Sequence, residues 1–148
     1  PIPEGYHSIT PYLGIQKAAE AIDFYKKAFG ATEVMRLAMP DGGIGHAELR
    51  IGDSPIMLGT PCDQGPLSNP DKSPSVGLHL YVNDVDKSYK QAIDAGATVV
   101  SEVKDQFYGD RTGTLKDPYG HVWFLATRKE DLTQEQIEQR AKEMFKQG

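Results

Sequence analysis

The chain has 148 residues, of which 39% are hydrophobic and 25% charged, with a formal net charge of −5; this is the balance of an ordinary globular fold of one domain's size. The negative charge argues against a broad electrostatic grip on nucleic acid or an anionic membrane, and no apolar run approaches the roughly 20 residues that span a bilayer. The single cysteine, Cys62, excludes an internal disulfide and any multi-cysteine zinc site; with no basic-then-apolar leader in the sequence, a reducing, cytoplasmic setting is the expectation.

The first helical pattern is "KAAEAIDFYKKAFGA", where Ala18, Ala21, Ile22, Tyr25 and Phe29 share one face and Gly30 marks the stop. "GHAELRIG" then alternates as a strand, with Ala47, Leu49 and Ile51 on one side and His46, Glu48 and Arg50 on the other. "GDSPIMLGT", Gly52 to Thr60, reads as a turn feeding a buried strand. The Pro-, Gly- and Ser-rich stretch that follows, residues 61–75, is either a linker between two halves or a lid over a cavity. "VGLHLYV" is a strand with Leu78, Leu80 and Val82 on one face and Gly77, His79 and Tyr81 on the other. A second helix, "DVDKSYKQAIDAGA", aligns Val85, Tyr89, Ala92 and Ile93 and stops at Gly96. "FYGDRTG" supplies Phe107, Tyr108 and the pair Asp110–Arg111 at a strand entrance, and "DPYGHVWFLAT" is a turn followed by a short apolar strand. The chain closes on a helix, about residues 132–146, opened by the capping-box pair Thr133 and Gln136, with Ile137, Ala141, Met144 and Phe145 as its apolar stripe.

The two halves repeat. "YKKAFGAT" and "YKQAIDAGAT" end on Gly-Ala-Thr 66 positions apart (96 − 30), and the same offset lays Leu49 over Leu115 and Leu58 over Phe124. A constant offset across helix, turn and strand implies a duplicated strand–helix–strand–strand–strand unit, about residues 8–62 and 75–128. A unit of that size cannot close a core alone, so the expectation is one α+β domain over residues 1–148 built from two packed modules.

The segments "HSITPYL", "AIDFYKKAFGA", "HAELRIGDS", "LHLYVNDVD" and "AGATVVSEVKDQFYGDRTGTLKDPYGHVWFLAT" together resemble the vicinal oxygen chelate superfamily, in its PhnB-like branch among the glyoxalase/bleomycin resistance/dioxygenase proteins. The resemblance implies two βαβββ modules, mixed sheets curled around a concave cavity with helices outside, and a homodimer. It does not imply one chemistry: members include metal-dependent isomerases, ring-cleaving dioxygenases, thiol transferases, epimerases and metal-free drug-sequestering proteins. Metal-using members hold the ion with four His, Glu or Gln side chains, two per module. Carried over strand by strand, those positions fall here on Thr10, Leu58, Gly77 and Phe124. Leu58 and Phe124 have no donor atom, so no cofactor and no metal at that centre is expected; a displaced site using Glu48 and His79 is the alternative.

By strand parity Glu48, His79 and Tyr81 look into the cavity, which makes Glu48 and His79 the candidate acid–base pair. Tyr12, His46, Leu58, Tyr81, Tyr108 and Phe124 are the candidate lining, and Arg111 is the candidate clamp for a carboxylate or phosphate. Arg111 with Asp110 as a turn brace is the competing structural reading. Two functions follow from the residues: a metal-independent enzyme acting on a small polar metabolite by acid–base chemistry, or a non-catalytic binder of small molecules or drugs. A metal-dependent glyoxalase or dioxygenase is the third.

Overall fold

The computed structural model describes residues 1–147. β1 (Tyr12–Gly14) leads into α1 (Ala18–Phe29), followed by β2 (Thr32–Ala38), β3 (Ile44–Ile51) and β4 (Ser54–Gly59). The order then repeats as β5 (Leu78–Tyr81), α2 (Val85–Ala95), β6 (Thr98–Asp105), β7 (Asp110–Lys116) and β8 (Val122–Arg128), before α3 (Gln134–Gln147). Each module forms one four-stranded mixed sheet, ordered β1-β4-β3-β2 and β5-β8-β7-β6, in which the first and last strands pair parallel and the rest antiparallel.

Local chemistry explains the helices. Ala18, Ala21, Ile22, Phe24, Tyr25 and Ala28 bury one stripe of α1, and Gly30, at φ +68°, ends it in the left-handed conformation that glycine adopts without a Cβ penalty. Asp84 caps α2 by accepting from the Lys87 backbone N–H. Before α3, Thr133 and Gln136 accept each other's backbone N–H groups, the reciprocal capping box that the sequence predicts. Beyond it the apolar stripe is only partly covered, since Ile137 and Ala141 are half-buried while Phe145 is exposed.

The sheets turn their apolar faces to a layer made by α1 and α2, giving one contiguous core. Leu49 and Leu58 enter it from the first sheet, Leu115, Trp123 and Leu125 from the second, and Phe29 of α1 lies 4.3 Å from Trp123, ring centre to ring centre. A polar clasp also crosses the modules. Asp117, almost wholly buried, accepts from Tyr25 of α1 at 2.6 Å, from Trp123 Nε1 at 3.0 Å, and from the backbone N–H groups of Tyr119 and His121. The "DPYGH" turn is therefore a folding element, held by a carboxylate whose oxygens are fully used.

Asp110 is the second buried carboxylate. It accepts from Tyr81 at 2.7 Å and from Arg128 Nε at 3.0 Å, which fixes the start of β7 against the ends of β5 and β8. Asp110→Ala leaves exposed partners that water can satisfy, so it is expected to cost a moderate ~1–3 kcal/mol, measured by urea unfolding.

Candidate functional site

The two sheets are not closed on each other; each keeps its own open face on the side away from the helices. On the first sheet the pleat places His46 and Glu48 of β3 on that face, because Ala47, Leu49 and Ile51 take the core side. Cross-strand register adds Met57 beside Glu48 and Tyr12 beside Met57, with Met35 and Leu37 of β2 on the other flank.

These side chains form a hydrogen-bonded line. Glu48 Oε2 lies 2.8 Å from His46 Nε2, and the other carboxylate oxygen accepts from the Tyr6 hydroxyl, brought across by the N-terminal segment. His46 Nδ1 lies 2.9 Å from the Tyr12 hydroxyl. A carboxylate only accepts, so Nε2 carries the hydrogen facing Glu48; in the neutral imidazole Nδ1 then offers its lone pair and Tyr12 donates to it. Glu48 thereby fixes the tautomer of His46 as well as its orientation.

Beside Tyr12 lies an open cleft of about 400 Å³, lined among others by Gly59, Thr60, Pro61 and Leu67, and carrying no charged side chain. Gly59 packs closely under the phenol: a Cβ at that position would lie 3.2 Å from the Tyr12 hydroxyl and 3.2 Å from the Gly45 carbonyl oxygen.

The second sheet presents different chemistry. His79 pairs with Phe124 and Phe124 with Thr114 across its open face, and an adjoining cleft of about 570 Å³ includes Ser101, Lys104, Tyr108 and Thr112. The His79 ring lies 4.8 Å from that of Tyr81. The hydrogen bond to Asp110, aided by burial, raises the Tyr81 pKa and holds the phenol protonated.

Several sequence expectations need correction. Leu58 does not line an open face; it is fully buried on the helix side, and Met57 takes the outward place. The cause is turn length. Arg50 pairs with Pro55 across four intervening residues, whereas Lys116 pairs with Val122 across five, so the offset is 66 from α1 through β3 and 67 at β4 (124 − 57). A one-residue slip moves a strand's whole side-chain set to the opposite face. Glu48 and His79 are likewise not brought together. They lie on separate sheets, Glu48 bonded to His46 and Tyr6, and the cleft holding His79 is lined wholly by second-module residues. Arg111 is not a poised clamp: its Nε and Nη2 engage Asp86 at 2.8 and 3.0 Å, and its Nη1 lies 3.2 Å from Asp105. Those hydrogen bonds raise its pKa further, first through Asp86.

The donor set does not fit the metal centre of the metal-using relatives. With register corrected, its four positions carry Thr10, Met57, Gly77 and Phe124, and the Phe124 ring fills the space where a side chain at Gly77 would stand. Among the described residues no group of three or more His, Cys, Asp or Glu side chains converges to hold a metal ion. The role of Tyr6 had no signal in the sequence, whereas His46-x-Glu48 on a strand was a readable one, since alternate residues share a face.

Comparison with known proteins agrees with this architecture. Residues 7–125 match the sequence profile of the Glyoxalase/Bleomycin resistance protein/Dioxygenase superfamily. An uncharacterised protein of Mycobacterium bovis is 40% identical over 136 residues, covering 88% of this chain and 90% of that protein. One from Arabidopsis thaliana is 30% identical over 134 residues, covering 83% and 79%. Among solved structures, TioX from Micromonospora sp. ML1 superposes with a TM-score of 0.65 at 24% identity, over 86% of this chain and all of that one. A PhnB protein from Bacillus cereus does so at 0.66 and 19%, over 82% and 99%. Two βαβββ modules around a shared helix layer, matched along most of the chain, make this protein a member of the glyoxalase/bleomycin resistance/dioxygenase superfamily.

Proposed function

We propose that the chain binds a small organic molecule on the open face of its first sheet and acts on it by metal-free acid–base chemistry, in a cavity completed by the second sheet of another copy. The observation that carries this reading is the line Tyr6–Glu48–His46–Tyr12. The line runs along an open face and ends at a phenol that is 41% exposed, so its last member is accessible to a ligand. The composite cavity rests on the surface it would cover. Met35 and Leu37 on β2, Val99 and Val100 on β6, and Tyr81 and Phe124 are all exposed apolar side chains, an amount of greasy strand surface that a lone chain leaves in water. A homodimer, as the family resemblance implies, would set the partner's His79, Tyr108 and Phe124 opposite His46 and Glu48.

Light scattering at tens of micromolar is the first test, with twice the chain mass expected; a monomer would leave only the single-sheet site. The second is a panel of small metabolites screened by thermal shift and for turnover. Glu48→Gln and His46→Phe are expected to abolish ligand stabilisation or turnover while the apo protein keeps its melting temperature. Elemental analysis of protein purified without chelators is expected to find no stoichiometric zinc, nickel, iron or manganese. The second reading, a binder without catalysis, is favoured by the apolar Met35, Leu37 and Met57 around the polar line; it predicts ligand stabilisation with no turnover.

A further inference from the structure

We infer that Tyr12 is the reactive end of the first-sheet site, a phenol whose proton passes to His46 Nδ1 with Glu48 as positioning residue, and that the uncharged cleft beside it receives the apolar part of the substrate. This rests on the proposed acid–base function and names the residue that would touch the substrate.

Three observations carry it. The line has a direction: Glu48 can only accept, so His46 presents a lone pair to Tyr12, and Tyr12 alone of the three reaches an open cleft. The same logic of carboxylate, imidazole and hydroxyl activates oxygen nucleophiles and acids elsewhere, recognised by geometry and not by sequence position. The duplicated module lacks the device: at the offset of 66, His46 and Glu48 correspond to Thr112 and Thr114, and at 67 Tyr12 corresponds to His79. The cleft wall of glycine, proline, Thr60, the free Cys62 and Leu67 offers dispersion contacts and no charged side chain, so an uncharged alkyl or aryl group bearing a carbonyl suits it.

The test uses N-acylimidazoles, neutral acyl donors that need no knowledge of the natural substrate. The Tyr12 oxygen attacks the acyl carbon, its proton goes to His46 Nδ1, the C–N bond breaks, and the departing imidazole takes that proton. Acylation is followed residue by residue with peptide mass spectrometry across pH. Exposure alone ranks Tyr81, 53% exposed, above Tyr12 at 41%. The expected result is the reverse: Tyr12 acylates at least about tenfold faster than Tyr81 and Tyr108, a floor below the roughly 10²–10⁴-fold that general-base assistance contributes. His46→Phe should erase the advantage, and Glu48→Gln should lower the rate and move the pH profile. Hexanoylimidazole should outpace acetylimidazole at Tyr12 and lose that preference in Leu67→Asp. A Tyr12 rate equal to that of Tyr108, or one that climbs steadily to about pH 10 and is untouched by His46→Phe, would overturn the assignment. The labelling needs neither a ligand hit nor a dimer, so its failure is distinct from failure of the proposed function.

Discussion

Asp117→Ala is expected to remove about 3–5 kcal/mol of unfolding free energy, measured by urea titration, with little change at the open faces. The substitution strips four donors of their acceptor at once: the Tyr25 hydroxyl, Trp123 Nε1 and two backbone N–H groups of the turn. Tyr25 is wholly buried and Trp123 nearly so, so water cannot replace the carboxylate. Asp117→Asn is the sharper variant. It keeps the volume, but either way round its N–H₂ faces donors: the Trp123 indole and the Tyr25 hydroxyl on one side, or the backbone N–H groups of Tyr119 and His121 on the other. The same clasp gives an alkaline signature. Burial, then the Asp117 charge, raises the Tyr25 pKa well above its ordinary value. The folded state thus holds that proton more tightly than the unfolded chain, whose tyrosine titrates near 10. The associated stabilisation is complete below pH ~10 and is lost as pH rises above it. Absorbance at 295 nm should show the Tyr25 phenolate appearing only with unfolding; its appearance in the folded protein near pH 10 would contradict the clasp.

Leu58→Ala is expected to cost ~2–5 kcal/mol, and Met57→Ala about 1 kcal/mol or less, although the residues are adjacent. Leu58 has no exposed surface and lies in the core, whereas Met57 is half-buried on the open face beside Glu48. Chemical denaturation of the two variants separates the registers directly. Equal costs, or a larger one at Met57, would restore the placement that the plain 66-residue repeat suggests. The pair also divides function from stability: Met57→Ala should alter binding on the first sheet, and Leu58→Ala should weaken the fold without changing what the folded fraction binds.

What the sequence disclosed follows the range of the forces involved. Helix faces, the stops at Gly30 and Gly96 and the Thr133–Gln136 box depend on neighbours within a turn or two, and they were legible. So was the parity of Glu48, His79 and Tyr81, because a strand's two faces are fixed once its core face is known. The failures came where a distant residue decides. The β7–β8 turn has one residue more than the β3–β4 turn, so the counterpart of Phe124 is Met57 and not Leu58, and no local signal in "SPIMLGT" reports it. Arg111 looked available because its partner Asp86 comes from the start of α2, 25 residues away. Glu48 and His79 share parity but not a sheet, because each module closes its own four strands and strand parity does not say whether the two open faces meet.

The clasp at Asp117 occurs once. Its counterpart at the repeat offset is Ile51, a core residue, and the counterpart of Tyr25 is Gln91, which donates to the Lys27 carbonyl on α1. An ancestor made of two identical modules would have carried such a tie twice or not at all. After duplication each copy was free to give up what the other kept. In this chain the second module supplies the fastener, with Asp117 and Trp123 gripping α1, and the first carries His46 and Glu48 on its open face. The halves are now complementary rather than interchangeable. Joining two copies of the first module would keep the Tyr12–His46–Glu48 face and lose Asp117, whereas two copies of the second would lose that face and, with Tyr25, the clasp as well.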